Sequence, residues 1–148
     1  MSNYADASYA DTYFSTRLRT APWDDATADD QERALTMATR TIDQLNFIGE
    51  KAGEDQENQF PRGDDTEVPT AIKQAACEIA LAFLDGVDPD KEFENLFKTS
   101  NAYGGVRTTF DGSAVPEYFA AGVPSLSAWK LILPFLRDPR ALKLRRVD

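Results

Sequence analysis

Apolar positions along the chain recur mostly at helical spacing, and polar runs divide them into segments. The first covers about Ser8 to Leu18, where Tyr9, Tyr13 and Phe14 share one aromatic face. Ser8 reads as its N-cap, Asp11 suits the positive end of the helix dipole, Arg17 lies near the other end, and Thr20-Ala21-Pro22-Trp23 breaks it. The second, about Ala28 to Leu45, has Thr27 as N-cap and Asp29, Asp30 and Glu32 in its first turn. Its buried stripe is Ala34, Leu35, Ala38, Ile42 and Leu45. Asn46 to Glu67 is polar and carries Gly49, Gly53 and Gly63, so it reads as a long loop pinned at Phe60. The third helix begins at Pro69 and runs to about Asp85, with Gly86 as its stop. Ile72, Ala75, Ala76, Ile79, Ala80, Phe83 and Leu84 form its core face, and the alanines allow a neighbouring helix to approach closely.

Beyond it, Asp90 to Phe97 reads as a short helix after Pro89. The pattern changes over Thr99 to Asp111, where Gly104-Gly105 is flanked by Tyr103 and by the strand-favouring run Val106 to Phe110. This predicts a hairpin or extended arm, which alone in water is marginal and needs a partner surface. A last helix spans about Ser125 to Leu136 and is strained or ended by Pro134. The expected fold is mainly α: a small bundle of about four helices with a protruding β-hairpin or extended arm and an extended C-terminal tail. Residues 1–136 form the single helical domain, with the loop at 46–67 and the arm at 98–112, and residues 137–148 form a basic tail.

Charge changes this picture more than composition does. The 148 residues suit one domain, and 42% hydrophobic with 28% charged residues is ordinary for a globular chain. The longest apolar stretch, Ile79 to Leu84, is far shorter than the roughly 20 residues a bilayer takes, and the first residues show no signal-peptide pattern. No membrane role is expected, and the single Cys77 excludes an internal disulfide framework. The net charge of −9 is uneven: from Lys130 onward six basic residues face two acidic ones, a net of +4, which leaves −13 for residues 1–129. Gripping nucleic acid through phosphates calls for a basic patch, which the acidic body lacks.

The residues offer little for chemistry. Without histidine the chain lacks the commonest general base and metal ligand. Cys77 sits on the helix stripe and reads as a buried structural thiol. One cysteine cannot make a zinc site, and Gly104-Gly105 matches no phosphate-binding loop. The alternating carboxylates from Asp88 to Glu94 invite comparison with an EF-hand, yet Phe93 and Thr99 stand where glycine and glutamate are required. They read as a helix start. No enzyme activity, cofactor or metal is expected. The tail keeps three readings: a solvated end, a docking strand whose leucines fill apolar pockets, or a nucleic-acid arm.

The succession of segments goes further. Tyr9-Ala10-Asp11-Thr12-Tyr13-Phe14 comes first, then Ala34-Leu35, Ala38-Thr39-Arg40 and Ile42-Asp43, then Phe60-Pro61-Arg62. Val68-Pro69 and Ile72-Lys73 lead into the alanine-rich helix with Glu78, followed by Tyr103 to Thr109 and finally Trp129 to Leu136. In order and spacing this resembles the head-tail adaptor (connector) proteins of tailed bacteriophages over nearly the whole chain. The resemblance implies a virion protein made in the host cytoplasm, a ring of twelve-fold symmetry below the portal, and a channel that passes double-stranded DNA without sequence-specific binding. Its implied partners are the portal protein, neighbouring copies, and the next tail component, a terminator or nozzle. Portal docking would fall to Arg137, Arg140, Leu142, Lys143, Leu144, Arg145 and Arg146. Tyr103, Val106, Arg107 and Phe110 would contact the neighbouring subunit or the tail. Similar sequences also carry a rival description, a DnaT-like single-stranded-DNA-binding protein of replication. That reading needs aromatics interleaved with cations, for which Tyr103 and Phe110 around Arg107 are the candidates. A small regulatory or scaffold protein of the host is the third class.

Overall fold

The apolar stripe of the second predicted helix is buried as expected: Ala34, Leu35, Ala38 and Ile42 lie in the core, and Leu45 packs at its edge. The computed structural model describes residues 2–92, 94–95 and 116–137. Its helices are α1 (Ala7–Phe14), α2 (Ala21–Asp24), α3 (Ala28–Asp43), α4 (Thr70–Leu84), α5 (Glu117–Ala120) and α6 (Leu126–Ile132). A 3-10 turn, Leu133–Phe135, follows α6, and residues 89–92 form a further helical turn. The central element is α4, which packs against α3 on one side and α6 on another, with α1 and α2 across it. Its residues Ile72, Ala75, Ala76, Cys77, Ile79 and Ala80 have no solvent exposure, because small side chains let two helices close on it at once. The described part of the chain is thus mainly helical.

Local chemistry explains most of the ends. Thr27 caps α3 by accepting the Asp30 amide at 3.1 Å, as its sequence position predicts. Gly86, at φ +88, stops α4 in the conformation that favours glycine. Ser125 caps α6 through the Ala128 amide at 3.2 Å, and α6 gives way to the 3-10 turn that contains Pro134.

Several boundaries differ from the sequence reading. Asp6, not Ser8, caps α1, its carboxylate accepting the Tyr9 amide at 2.7 Å. The helix stops at Phe14, short of Leu18, where the Ser15 and Thr16 hydroxyls turn back onto the carbonyls of Thr12 and Tyr13 at 2.6 and 2.9 Å. Thr20 to Trp23 does more than break a helix. It opens the one-turn α2, whose Trp23 is 1% exposed and donates its indole N–H to Asp11 at 2.8 Å. Pro69 is the N-cap of α4, not its first residue. Leu133 and Phe135, counted in the last helix from sequence, belong to the 3-10 turn.

The loop at 46–67 is pinned at Phe60, as expected. Phe60 is 3% exposed and its ring centroid lies 4.6 Å from Phe47, 5.6 Å from Phe135 and 6.0 Å from Tyr4. Arg62 holds the loop's two limbs together by donating to the carbonyls of Ile48 and Gln59 at 3.0 and 3.2 Å, and to that of Gly49. Among the described residues β-structure is limited to isolated bridges, Phe47 with Leu136 and Lys51 with Arg62, and no strand occurs. The predicted hairpin or arm at 98–112 and the tail beyond Arg137 lie outside the described residues. The expected helix at 90–97 is described only in part.

Candidate functional site

The residues with most to offer a partner are the cations, and the fold spends many of them inside itself. Arg17 leaves the end of α1 and reaches Glu78 in the middle of α4, with Nε and Nη2 donating to the two carboxylate oxygens at 2.7 and 2.9 Å. The Tyr13 hydroxyl adds a third bond to Glu78 at 2.6 Å. Glu78 is 3% exposed, so its charge needs this paired cation. Burial first, and the Glu78 bond second, hold the Tyr13 hydroxyl above the ordinary tyrosine value. Next to it, burial pushes the Cys77 thiol up to about 12, with Glu78 adding to the effect, so this cysteine is no nucleophile.

A second polar cluster fixes the start of the chain. The Tyr4 hydroxyl donates to Asp43 and accepts the Phe60 amide at 3.1 Å, while the Gln59 amide donates to Asp43 at 3.1 Å. The Tyr4 amide donates to Thr39 at 3.1 Å, and Thr39 donates on to the Leu35 carbonyl at 3.0 Å. Desolvation, then the bond to Asp43, raises the Tyr4 hydroxyl well above its ordinary value. Neither cluster was singled out from sequence. The usable signal for the first was a glutamate inside the apolar face of α4; the second joins residues 39 and 56 positions apart, and nothing local marks it.

Of the predicted docking residues, Arg137 alone is described. Its amide donates to the Asn46 carbonyl at 3.1 Å and its Nε to the Phe47 carbonyl at 2.9 Å. The adjacent Phe135 carbonyl accepts the Ile48 amide at 2.9 Å. Arg137 therefore roots the tail on the aromatic cluster around Phe60 and belongs structurally to the body. Arg140, Leu142, Lys143, Leu144, Arg145 and Arg146, and the arm residues Tyr103, Val106, Arg107 and Phe110, lie outside the described residues.

What remains on the described surface is predominantly acidic, with Arg19, Arg40, Lys91 and Lys130 exposed among the carboxylates. No described aromatic side chain is exposed. Arg33 pairs with Asp30 at 2.9 Å, Lys51 donates to the Gln56 carbonyl at 3.2 Å, and Lys73 lies 5.7 Å from the centroid of the Tyr9 ring. Leu18 and Ile48 are the most exposed large apolar side chains among the described residues. Among the described residues no group of His, Cys, Asp and Glu could hold a metal ion, and no helix is long and apolar enough to cross a membrane. An open groove of about 400 Å3 runs between α3, the end of α4 and the turn after α5.

These features define a small helical domain whose polar clusters serve its own folding. The chain belongs to the family described as putative DnaT-like ssDNA binding protein, whose model matches residues 2–146. That match favours the single-stranded-DNA-binding alternative over the head-tail adaptor resemblance, for which it gives no evidence. No curated protein and no solved structure matches the chain.

Proposed function

We propose that this chain is a structural subunit of the head-tail adaptor kind, which presents an acidic helical body to passing DNA and meets its partners through residues 98–112 and 137–148. The observation that carries this reading is the strongly acidic character of the described body, with its aromatic side chains turned inward. No described aromatic side chain is exposed, and Arg17, Arg62 and Arg137 are bonded to Glu78 or to backbone carbonyls. Residues 1–97 hold eight basic residues against 21 acidic ones, a net of −13. A wall with this charge balance offers little to stack bases or collect phosphates, which suits DNA that must slide past it. The partners are then the portal protein, neighbouring copies in a ring and the next tail component, at the head-tail interface of a virion. The test is the copy number of the chain in purified particles, measured by quantitative mass spectrometry against the portal protein. A ratio near unity is expected, and absence from the particle would end the adaptor reading.

The family match favours a second reading, binding of single-stranded DNA. On this reading the contact would lie beyond the acidic body, on Lys98, Arg107 and the basic residues from Arg140 to Arg146, with Tyr103 and Phe110 to stack on bases. A titration with a single-stranded oligonucleotide at two salt concentrations separates the readings. Saturable binding that weakens with salt, and is lost in Arg107→Ala, supports this second function. No saturable binding at low salt removes it.

A further inference from the structure

The groove between α3 and the end of α4 is lined by apolar Met37 and Phe83 and by Asp88 and Asp90, with Arg40 and Gln44 on its α3 side; Asp88 accepts the Lys91 amide at 3.2 Å through one carboxylate oxygen and keeps the other. Met37 is 45% exposed there, an apolar side chain left open to solvent on an otherwise polar helix face. Gln44 lies two residues before Asn46, whose carbonyl accepts the Arg137 amide at 3.1 Å. The tail therefore leaves the body within about 12 Å of the groove's α3 end, since successive Cα atoms are about 3.8 Å apart. Beyond Arg137 the chain continues to Asp148, enough for a reach of about 36 Å when extended.

The tail's sequence has the complementary pattern. In an extended chain alternate residues share a face, and one face of this segment reads Arg140, Leu142, Leu144, Arg146. Two leucines between two arginines match two apolar residues beside two carboxylates. Arg40 opposes a cation on the α3 side and so directs the arginines towards Asp88 and Asp90. The negative body adds attraction at longer range.

We propose that this groove is a binding site for an extended, basic, leucine-bearing peptide, and that its occupant in the free chain is the chain's own residues 138–148. Leu142 and Leu144 lie against Met37 and Phe83, and Arg140 and Arg146 face Asp90 and Asp88. Because the tail is tethered beside the groove, the contact forms at an effective concentration on the order of millimolar and needs no new strong interaction. The inference stands apart from the choice between portal and single-stranded DNA: a tail held in this way is withheld from either.

The experiment uses the full chain, with a nitroxide attached at Ala141→Cys in a Cys77→Ala background, which leaves the introduced thiol as the one site for the label. Amide signals of Met37, Gln44 and Ala121 should lose intensity in the oxidised relative to the reduced spin label, and the loss should persist on dilution. Leu142→Asp combined with Leu144→Asp in the tail should restore the intensities, and so should Met37→Glu at its exposed position in the groove. Equal intensities in both label states would overturn the proposal. So would a loss that vanishes on dilution, which would assign the groove to the tail of a neighbouring copy. A loss unchanged by both sets of substitutions would overturn it as well.

Discussion

Two polar clusters fasten the first residues of the chain to the bundle, and they treat a carboxylate in different ways. Where α1 meets α4, Glu78 is sealed from solvent and receives a guanidinium through two bonds, with a tyrosine hydroxyl as the third partner. Where the chain start meets α3, Asp43 is only half-buried, and a tyrosine hydroxyl and one backbone amide suffice. The difference follows from access to water. A sealed charge must be met by an opposite one, whereas a half-buried one keeps part of its hydration. The first cluster therefore depends on a single cation, while the second shares its load among Tyr4, Thr39, Asp43 and the rings packed on Phe60.

The sharing can be broken at its hub. Phe60 touches Tyr4, Phe47 and Phe135, so Phe60→Ala removes the packing that joins chain start, loop and C-terminal turn. A loss of about 4 kcal/mol is expected, in the usual range for a buried phenylalanine. Chemical denaturation followed by circular dichroism reads it, and a loss below about 1 kcal/mol would show that the loop does not depend on this ring. Next in size is Arg17→Ala, which leaves the buried Glu78 with Tyr13 alone. A loss of about 3 kcal/mol is expected, towards the low end for a broken buried pair because the Arg17 side chain is 31% exposed. Glu78→Gln in the Arg17→Ala background should recover part of it by removing the stranded charge. If the double variant is no more stable than the single one, the buried charge is not the cause.

Much of the bundle was legible because its determinants are local. Thr27 and the Ala34 to Ile42 stripe define α3, the alanine-rich face and Gly86 define α4, and Pro134 marks the end of the last α-helix. What escaped was set at a distance or by competition between neighbours. Asp6 outcompetes Ser8 as the cap of α1, and Trp23 folds α2 back so that its indole reaches Asp11. Arg17 looked like a helix-end cation, but its partner is 61 residues away. Arg137 was grouped with the tail by charge, and the carbonyls of Asn46 and Phe47 tie it to the body. The candidate contact residues came from the charge pattern and the adaptor resemblance, and apart from Arg137 they lie outside the described residues.

A smaller perturbation sharpens the contrast. Tyr4→Phe keeps the ring against Phe60 and deletes only the hydroxyl, which leaves the Phe60 amide without its acceptor and Asp43 with one donor fewer. A loss of about 1–2 kcal/mol is expected. Tyr13→Phe should cost less, because Arg17 still holds both oxygens of Glu78. The reverse order, measured as paired denaturation midpoints, would mean that the guanidinium does not carry the α1–α4 cluster.

Alkaline pH tests the two clusters together. The Cys77 thiol is raised in the folded chain from 9.0 to about 12, chiefly by burial, and the Tyr4 and Tyr13 hydroxyls are raised above 10.0 for the same first reason. A group whose folded value is raised contributes stability in full below its unfolded value and loses it as pH climbs towards the folded one. Stability should therefore be flat in these groups' contributions up to about pH 8.5, then fall. Cys77 gives way first, contributing a loss of about 1 kcal/mol by pH 10, and the tyrosines follow above that. In Cys77→Ala the decline between pH 8.5 and 10 should become shallower while the steeper fall above pH 10 remains. In Tyr4→Phe the early decline should remain and the later one should weaken. The early loss belongs to the burial of Cys77 on α4, and an identical early decline in both variants and the parent would show that burial of this thiol sets no part of the alkaline limit.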